Sequence, residues 1–176
     1  MTLAVAATAC APVSSTPWRF AETATGRYVA EFPAEPTIVS LPATSTLLLT
    51  LITTAQSGDA TFTITETDLR DLADYRSLDD MVDAAIADIR SQLEEASGHG
   101  QKVTHLTTTT AQFEGAESRR VACRLVGEIV TSVTLVLFYR RDSLVQAIVT
   151  TVGVDADAST DRFLGSLRSN TGSDRV

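Results

Sequence analysis

The chain has 176 residues, of which 44% are hydrophobic and 20% charged, a composition typical of one globular domain with a sizeable core. Its formal net charge is −8, and its basic residues are the single lysine, Lys102, and scattered arginines, so no basic patch is expected for nucleic acid or for anionic lipid headgroups. The apolar runs are all shorter than the roughly 18–20 residues of a membrane-spanning helix.

The first ten residues resemble the second half of a bacterial lipoprotein signal. An apolar stretch carries small residues at Ala7 and Ala9 and ends at Cys10. Two features depart from that pattern, because no Lys or Arg precedes the stretch and Ala7 stands where Leu is usual. A start codon assigned too far downstream would explain the missing front. We therefore predict that residues 1–17 are a truncated lipoprotein-type signal and spacer, with Cys10 as the lipidation site.

Cys10 is followed by Ala11–Pro17, a polar, proline-punctuated spacer suited to holding a domain off a membrane. We expect membrane association through the lipid at Cys10 only, since no basic patch is available to assist it. The alternative is a disordered N-terminus of a cytosolic protein. The second cysteine, Cys123, lies on the apolar face of a predicted strand and is interpreted as a small core residue. A Cys10–Cys123 disulfide is the alternative pairing.

The first part of the predicted domain, which starts at Trp18, indicates strands. Gly26–Phe32 alternates along its length and is stopped by Pro33, since proline donates no backbone hydrogen bond. A long strand over Thr44–Thr54 is predicted next. It turns through the Gly-Asp pair before a strand over Ala60–Thr67, which makes a β-hairpin.

A long amphipathic helix is predicted from Ser77 to Ala96. Ser77 and Asp80 have the spacing of a capping box, and Gly98 ends the helix. Apolar residues recur at helical period along one side: Leu78, Met81, Val82, Ala85, Ile86, Ile89, Leu93 and Ala96. This single stripe predicts a helix that docks on a sheet.

The second half predicts consecutive strands, first a Thr-rich one over Lys102–Phe113 and then Arg119–Glu128, Val130–Arg140 and Ser143–Val152. Val130–Arg140 is apolar on both faces, which is typical of a strand covered on both sides. A short helix capped by Asp155 follows, with Phe163, Leu164 and Leu167 on its apolar side. The predicted class is α+β, a mostly antiparallel sheet with one long and one short helix.

Four stretches together resemble bacterial PsbP-like domains, including lipoproteins of the LpqN type. They are G-R-Y-V-A-E-F-P-A-E-P at Gly26–Pro36, the central helix, E-G-A-E-S-R-R at Glu114–Arg120 and D-R-F-L-G-S-L at Asp161–Leu167. The resemblance spans residues 18–168, which we take as a single domain followed by a disordered tail at 169–176. It implies an α-β-α sandwich and a mainly non-catalytic binding or scaffolding role. No functional motif matches position by position, so no site residue is carried over.

Two polar clusters contain residue types that could bind a metal ion. Six Asp and one Glu occupy the segment from Glu66 to Asp83, but their spacing fits no EF-hand loop and favours a solvated loop and helix start. His99 and His105 would need two further zinc ligands, and Cys123 is the sole reachable thiol, so a surface pair is favoured. We predict no metal site and no cofactor.

The sequence carries no nucleophile elbow and no Ser-x-x-Lys motif, so no catalytic residues are assigned. Trp18, Phe20 and Tyr28 either pack in the core or line an apolar ligand pocket. The predicted function is a non-catalytic, lipid-anchored binding or scaffolding domain of the cell envelope, whose partner is an unknown protein or a small apolar ligand. The alternatives are a cytosolic interaction or chaperone-type module of the same fold and a hydrolase with an unrecognised site.

Overall fold

In a computed structural model of the chain, the residues described are 17–42, 49–70, 77–153 and 158–170. Within these ranges the chain forms two helices and two antiparallel sheets. The helices are α1 (Leu78–Ser97) and α2 (Ala158–Ser166). The strands before α1 are β1 (Arg19–Glu22), β2 (Tyr28–Phe32), β3 (Thr37–Leu41), β4 (Thr50–Ser57) and β5 (Ala60–Asp68). Those after it are β6 (Lys102–Phe113), β7 (Ala116–Val126), β8 (Val130–Arg140), β9 (Ser143–Val152) and β10 (Arg168–Ser169).

The large sheet has the strand order β3-β4-β5-β9-β8-β7-β6, and the small sheet has the order β1-β2-β10. Strand pairing is antiparallel throughout both sheets. This arrangement confirms the predicted α+β class with a mostly antiparallel sheet.

Helix α1 covers one face of the large sheet. Its apolar stripe, which includes Val82 and Ile86, packs on Val121 of β7 and Leu135 of β8. The Ser77 hydroxyl accepts a hydrogen bond from the Asp80 amide at 3.1 Å, and Gly98 ends the helix in the left-handed conformation. The predicted helix and both of its ends are therefore confirmed. Among the described residues, neither helix has the length and apolar character needed to cross a membrane.

The small sheet and α2 cover the opposite face of the large sheet. Phe163 of α2 lies between Phe32 of β2 and Phe62 of β5, with ring-centroid distances of 5.2 and 5.4 Å. Tyr28 of β2 packs edge-on against Phe138 of β8 at 5.9 Å. Because β8 buries residues toward both layers, the prediction of a strand covered on both faces is confirmed.

Different turns lie at the two ends of the large sheet, which are called the Asp59 end and the Asp142 end after a residue in one turn of each. The Asp59 end holds the β4–β5 turn at Gly58–Asp59, the β7–β8 turn at Gly127–Ile129 and the last residue of β9, Val152. The Asp142 end holds the β8–β9 turn at Arg141–Asp142 and the last residue of β5.

Three strands were not predicted. β1 and β10 are short edge strands of the small sheet, and β3 is exposed along its whole length, so none of them carries the buried alternation that marks a strand. The predicted tail boundary is also corrected, because Ser169 pairs with Tyr28 and the Asn170 amide donates to the Arg27 carbonyl at 2.7 Å. Backbone hydrogen bonds, which leave no apolar pattern in the sequence, hold these last residues.

The hairpin predicted at the Gly-Asp pair is confirmed, with strand β4 extending to Ser57 and Gly58 in the left-handed region at φ +57°. The start of the predicted strand over Thr44–Thr54 lies in residues outside the described ranges. Asp155, the predicted cap of α2, also lies outside them.

The packing of α1 predicts opposite outcomes for two neighbouring substitutions. Ile86 is buried against the sheet, so Ile86→Asp should unfold the domain or lower its free energy of unfolding by several kcal/mol, about 3 or more. Asp88 is exposed, and Asp88→Ala should change that free energy by less than about 1 kcal/mol. Chemical denaturation measures both variants, and comparable midpoints would show that the buried face is wrongly assigned.

Candidate functional site

A polar cleft opens at the Asp142 end of the large sheet, beneath the turn that joins β1 to β2. Its volume is about 240 Å³. The lining comes from the β1–β2 turn, the start of β4, the end of β5 and the β8–β9 turn: Thr25, Arg27, Leu49, Leu51, Glu66, Asp68, Arg70, Asp142 and Ser143. Charged groups of both signs therefore meet at one end of the sheet.

The β1–β2 turn (Thr23–Arg27) is fixed over the sheet by hydrogen bonds from its own residues. The Ala24 amide donates to the Thr53 hydroxyl of β4 at 2.9 Å, and the Gly26 amide donates to the Thr23 carbonyl at 2.8 Å. Gly26 has a φ of +70°, which glycine adopts without strain. This turn forms one wall of the cleft.

Glu66 lies at the base of the cleft with only 5% of its surface exposed. Its carboxylate accepts hydrogen bonds from the Thr25 hydroxyl and, at 3.4 Å, from the Thr25 amide. In the described part of the chain, no lysine or arginine forms an ion pair with this carboxylate. A buried carboxylate is unfavourable unless hydrogen bonds or a cation compensate it, and Glu66 has the Thr25 hydrogen bonds and the nearby arginines of the cleft lining but no direct ion pair.

Two arginines lie at the rim of the cleft. Arg70 makes a forked contact with Asp68, donating from Nε to both carboxylate oxygens at 2.9 Å, and these hydrogen bonds lower the pKa of the Asp68 carboxyl. Arg27 donates from Nη1 to the Ser143 hydroxyl at 3.2 Å. The charge of Asp68 is thus compensated within the cleft.

Tyr28 is buried next to Glu66, at the bottom of the cleft. Burial, and then the negative charge of Glu66, raise the pKa of Tyr28 to about 12 from its ordinary 10. Because the folded-state pKa is raised, the protonated phenol stabilises the fold below pH 10, and this stabilisation is lost as pH rises toward about 12.

A shallower groove of about 380 Å³ lies over β6, β7 and β8. Its lining residues are His105, Ala122, Cys123, Arg124, Ser132, Val133 and Thr134. The Ser132 hydroxyl is buried there without a hydrogen-bond partner. This groove is larger than the polar cleft, but no charged side chain is buried in it. The cleft is the better candidate site, because a buried charge is the stronger sign of ligand recognition.

The acidic residues of the segment from Glu66 to Asp83 lie in different parts of the structure. Glu66 and Asp68 line the cleft, whereas Asp79 lies on α1 and forms an ion pair with Arg119 of β7 at 2.7 Å. Asp71 and Asp74 lie outside the described residues. No group of three or more metal-ligating side chains occurs within residues 17–42, 49–70, 77–153 and 158–170.

The two histidines lie in different surroundings. His99 lies 3.3 Å from the Glu128 carboxylate, and His105 is exposed at a bulge in β6 with φ 51°. Cys123 is a buried free thiol whose pKa is raised by burial, in agreement with its interpretation as a core residue. Cys10, the predicted lipidation site, lies outside the described residues.

The three aromatic residues that could line an apolar ligand pocket lie in different surroundings. Tyr28 packs on Phe138 in the core, and Trp18 packs edge-on against Phe62 at 5.5 Å. Phe20 is exposed beneath the guanidinium of Arg168 at 4.3 Å. Tyr28 is therefore a core residue. Sequence reasoning considered Glu66 only as part of the Glu66–Asp83 acidic segment. Its alternation with Phe62 and Ile64 is the signal that places it on the buried face of β5, where Thr25 of the β1–β2 turn contacts it.

Comparison with solved structures identifies a similar fold. The solution structure of cyanobacterial PsbP (CyanoP) from Synechocystis sp. PCC 6803 matches with a TM-score of 0.56 and 14% sequence identity, covering 92% of this chain and 97% of that one. At this identity the likeness concerns the fold, and it confirms the predicted PsbP-like architecture, with layers on both faces of the sheet.

A protein of unknown function from Pseudomonas aeruginosa, described as a putative regulator, matches at a TM-score of 0.35 and 17% identity. That match covers 77% of this chain and 83% of the other. No protein-family model and no curated protein sequence matches the chain.

Glu66→Gln tests whether the buried carboxylate serves the fold. Glutamine retains an acceptor for Thr25 and removes the buried charge. The free energy of unfolding should therefore increase, or decrease by less than about 1 kcal/mol. The pKa of Tyr28 should decrease, because a neighbouring negative charge is lost. Chemical denaturation at neutral pH measures the first quantity, and ultraviolet titration of the phenol measures the second.

Tyr28→Phe is the control for the titration, because the absorbance change that it removes is the ionisation of Tyr28.

A decrease in the free energy of unfolding of about 3 kcal/mol or more in Glu66→Gln would show that Glu66 is retained for the fold, since breaking a buried charge pair has a cost of this size.

Proposed function

We propose that the chain is a non-catalytic binding domain of an envelope lipoprotein, similar in kind to LpqN-type proteins and anchored outside the cytoplasm by lipid at Cys10. The observation that supports binding is the buried carboxylate of Glu66 at the base of the cleft, which has no direct ion pair among the described residues. Proteins retain such a group at a cost in stability when its function requires it.

The buried Glu66 carboxylate favours a cationic group at that point of the cleft, although Arg27 and Arg70 also line the cleft. Asp68 is already paired with Arg70, whereas the described residues that donate hydrogen bonds to Glu66 are limited to Thr25. An ammonium or guanidinium group entering the cleft would form a charge-assisted hydrogen bond with Glu66 in a partly desolvated site. The net charge of −8 further attracts cationic partners over long range.

The size of the cleft favours a side chain over a whole small molecule. Its volume of about 240 Å³ lies below the about 300–1,000 Å³ of common small-molecule sites. A lysine or arginine side chain on a protein partner would fit it, and the charged lining disfavours a small apolar ligand. Recognition of this kind uses hydrogen bonds and ion pairing without making or breaking bonds, which is why the proposed role is non-catalytic.

Anchoring rests on the sequence around Cys10. Acylation there would place two or three chains in the bilayer, each buried CH₂ contributing about 0.8 kcal/mol, and two chains hold a protein stably. The domain itself supplies little electrostatic attraction to anionic lipid, since its net charge is −8 and its lysine and arginines are scattered along the chain. Membrane association should therefore depend on Cys10.

Detergent phase partition tests the anchor. The protein expressed from its native upstream region in its own host should enter the detergent phase, and Cys10→Ser should move it to the aqueous phase. Cys123→Ala is the matched control and should remain in the detergent phase, because Cys123 is buried in the core. If wild type and Cys10→Ser both remain soluble in the cytosol, the cytosolic interaction module becomes the better account.

Titration with side-chain analogues tests the cleft. Nα-acetyl-lysine amide should shift the backbone NMR signals of Thr25 and Ser143, and Glu66→Gln should abolish those shifts. Asp88→Ala, which removes an exposed carboxylate on α1, is the matched control and should leave them unchanged.

Two outcomes would contradict the binding assignment. Equal shifts in wild type and Glu66→Gln would place the interaction elsewhere. Turnover of an ester, phosphate or glycoside substrate that is lost on Glu66→Gln would favour a hydrolase.

A further inference from the structure

Apolar side chains are exposed together at the Asp59 end of the large sheet, opposite to the cleft. This apolar tip consists of Val126, Ile129, Val130 and Val152, which are between 37% and 55% exposed. They lie on the adjoining strands β7, β8 and β9 and on the turn between the first two. Val126 pairs with Val130, and the Gly153 amide next to Val152 donates to the Val130 carbonyl at 2.8 Å. Val126 and Val130 share one face of the sheet, whereas Val152 pairs with Thr131 and lies on the other face, so the apolar side chains surround this end of the sheet.

The start of the domain lies at the same end of the sheet. Trp18 shares a cavity of about 310 Å³ with Asp59, Phe62 and Thr151, among other residues. The Val152 amide donates to the Asp59 carbonyl at 3.0 Å, which joins the β4–β5 turn to the apolar tip. The chain between Cys10 and Trp18 spans at most about 29 Å when fully extended, at about 3.3–3.6 Å per residue. A lipid at Cys10 would thus hold the Asp59 end within about 29 Å of the bilayer surface.

From these two observations we infer that the apolar tip docks on the lipid bilayer surface, with Ile129 at its centre. The inference rests on the proposed anchor at Cys10 for its biological setting. The flanking Asp59 and Glu128 are acidic, so zwitterionic headgroups suit the tip better than anionic ones.

A second copy of the chain is a poorer occupant. The partly exposed side chains of the tip offer far less than the about 800 Å² per partner that stable protein interfaces bury. An interfacial site needs only a small apolar surface when a lipid already holds the chain at the membrane.

Docking at the Asp59 end fixes the direction of the cleft. The strands β5, β8 and β9 run between the two ends, so the Asp142 end points away from the bilayer. Glu66 and its cleft would then face partners in the aqueous space, which connects the proposed binding site to the orientation of the domain.

Chemical tethering tests the docking separately from acylation. The thiol of Cys10 in the full chain is coupled to a maleimide lipid in phosphatidylcholine vesicles, and Cys123 is buried and so protected. In a Trp18→Phe background, Ile129→Trp and Ile38→Trp each provide one tryptophan. Ile38 is the matched control, since it is 56% exposed against 55% for Ile129 and lies on β3, opposite Thr53. Thr53 is about 13 Å from the end of β4, at about 3.3 Å per residue.

Quenching by lipids brominated on the acyl chains should be about threefold stronger for Ile129→Trp than for Ile38→Trp, since interfacial apolar groups enter about 5–10 Å into the headgroup–acyl boundary. Replacing half of the phosphatidylcholine by phosphatidylglycerol should reduce that difference. Equal quenching at the two positions, or none at Ile129→Trp, would overturn the inference.

Amide hydrogen exchange of the tethered wild-type protein is an independent measurement of docking. Tethering should slow exchange in the turn Gly127–Val130 and leave the corresponding turn Arg140–Ser143 unchanged. Unchanged exchange in both turns would also overturn the docking. Loss of Cys10 acylation in the host, by contrast, would remove the proposed anchor and leave this tethered result standing.

Discussion

The docking of β2 on the large sheet is the contact on which the rest of the structure depends. Tyr28 and Phe32 project from β2 into the aromatic core, and Phe163 closes that core from α2. The same strand carries the β1–β2 turn to the Asp142 end, where the Thr25 hydroxyl reaches Glu66. Without this docking Glu66 would be solvated and the cleft would have no wall, so core packing and the candidate site arise from one arrangement.

The chemistry of the two ends of the sheet divides the molecule. The Asp142 end concentrates opposite charges around a buried carboxylate, whereas the Asp59 end exposes apolar side chains near the start of the domain. Such a division suits a domain that is held at a membrane by one end and engages a soluble partner with the other. Strong backbone pairing between the ends keeps their separation fixed, because the strands of the large sheet connect them directly.

The elements with strong periodicity were predictable from sequence. Helix α1 has a cap at Ser77 and one apolar stripe, and β8 is apolar on both faces because α1 and the aromatic core cover it. Exposed or very short strands such as β3 and β10 lack a buried face, so no pattern marks them. The alternation of β5 places Glu66 on the same buried face as Phe62 and Ile64, but its contact with Thr25, about forty residues earlier in the chain, is long-range and is not encoded by local patterns.

The central claim is that Glu66 receives a cationic group in the cleft. A crystal structure of the chain soaked with Nα-acetyl-lysine amide tests it most directly. The account predicts the ammonium nitrogen about 2.7–2.9 Å from a Glu66 carboxylate oxygen, with the aliphatic stem along Leu51. An empty cleft, with the probe bound instead at exposed carboxylates such as Asp88 or Glu128, would contradict it.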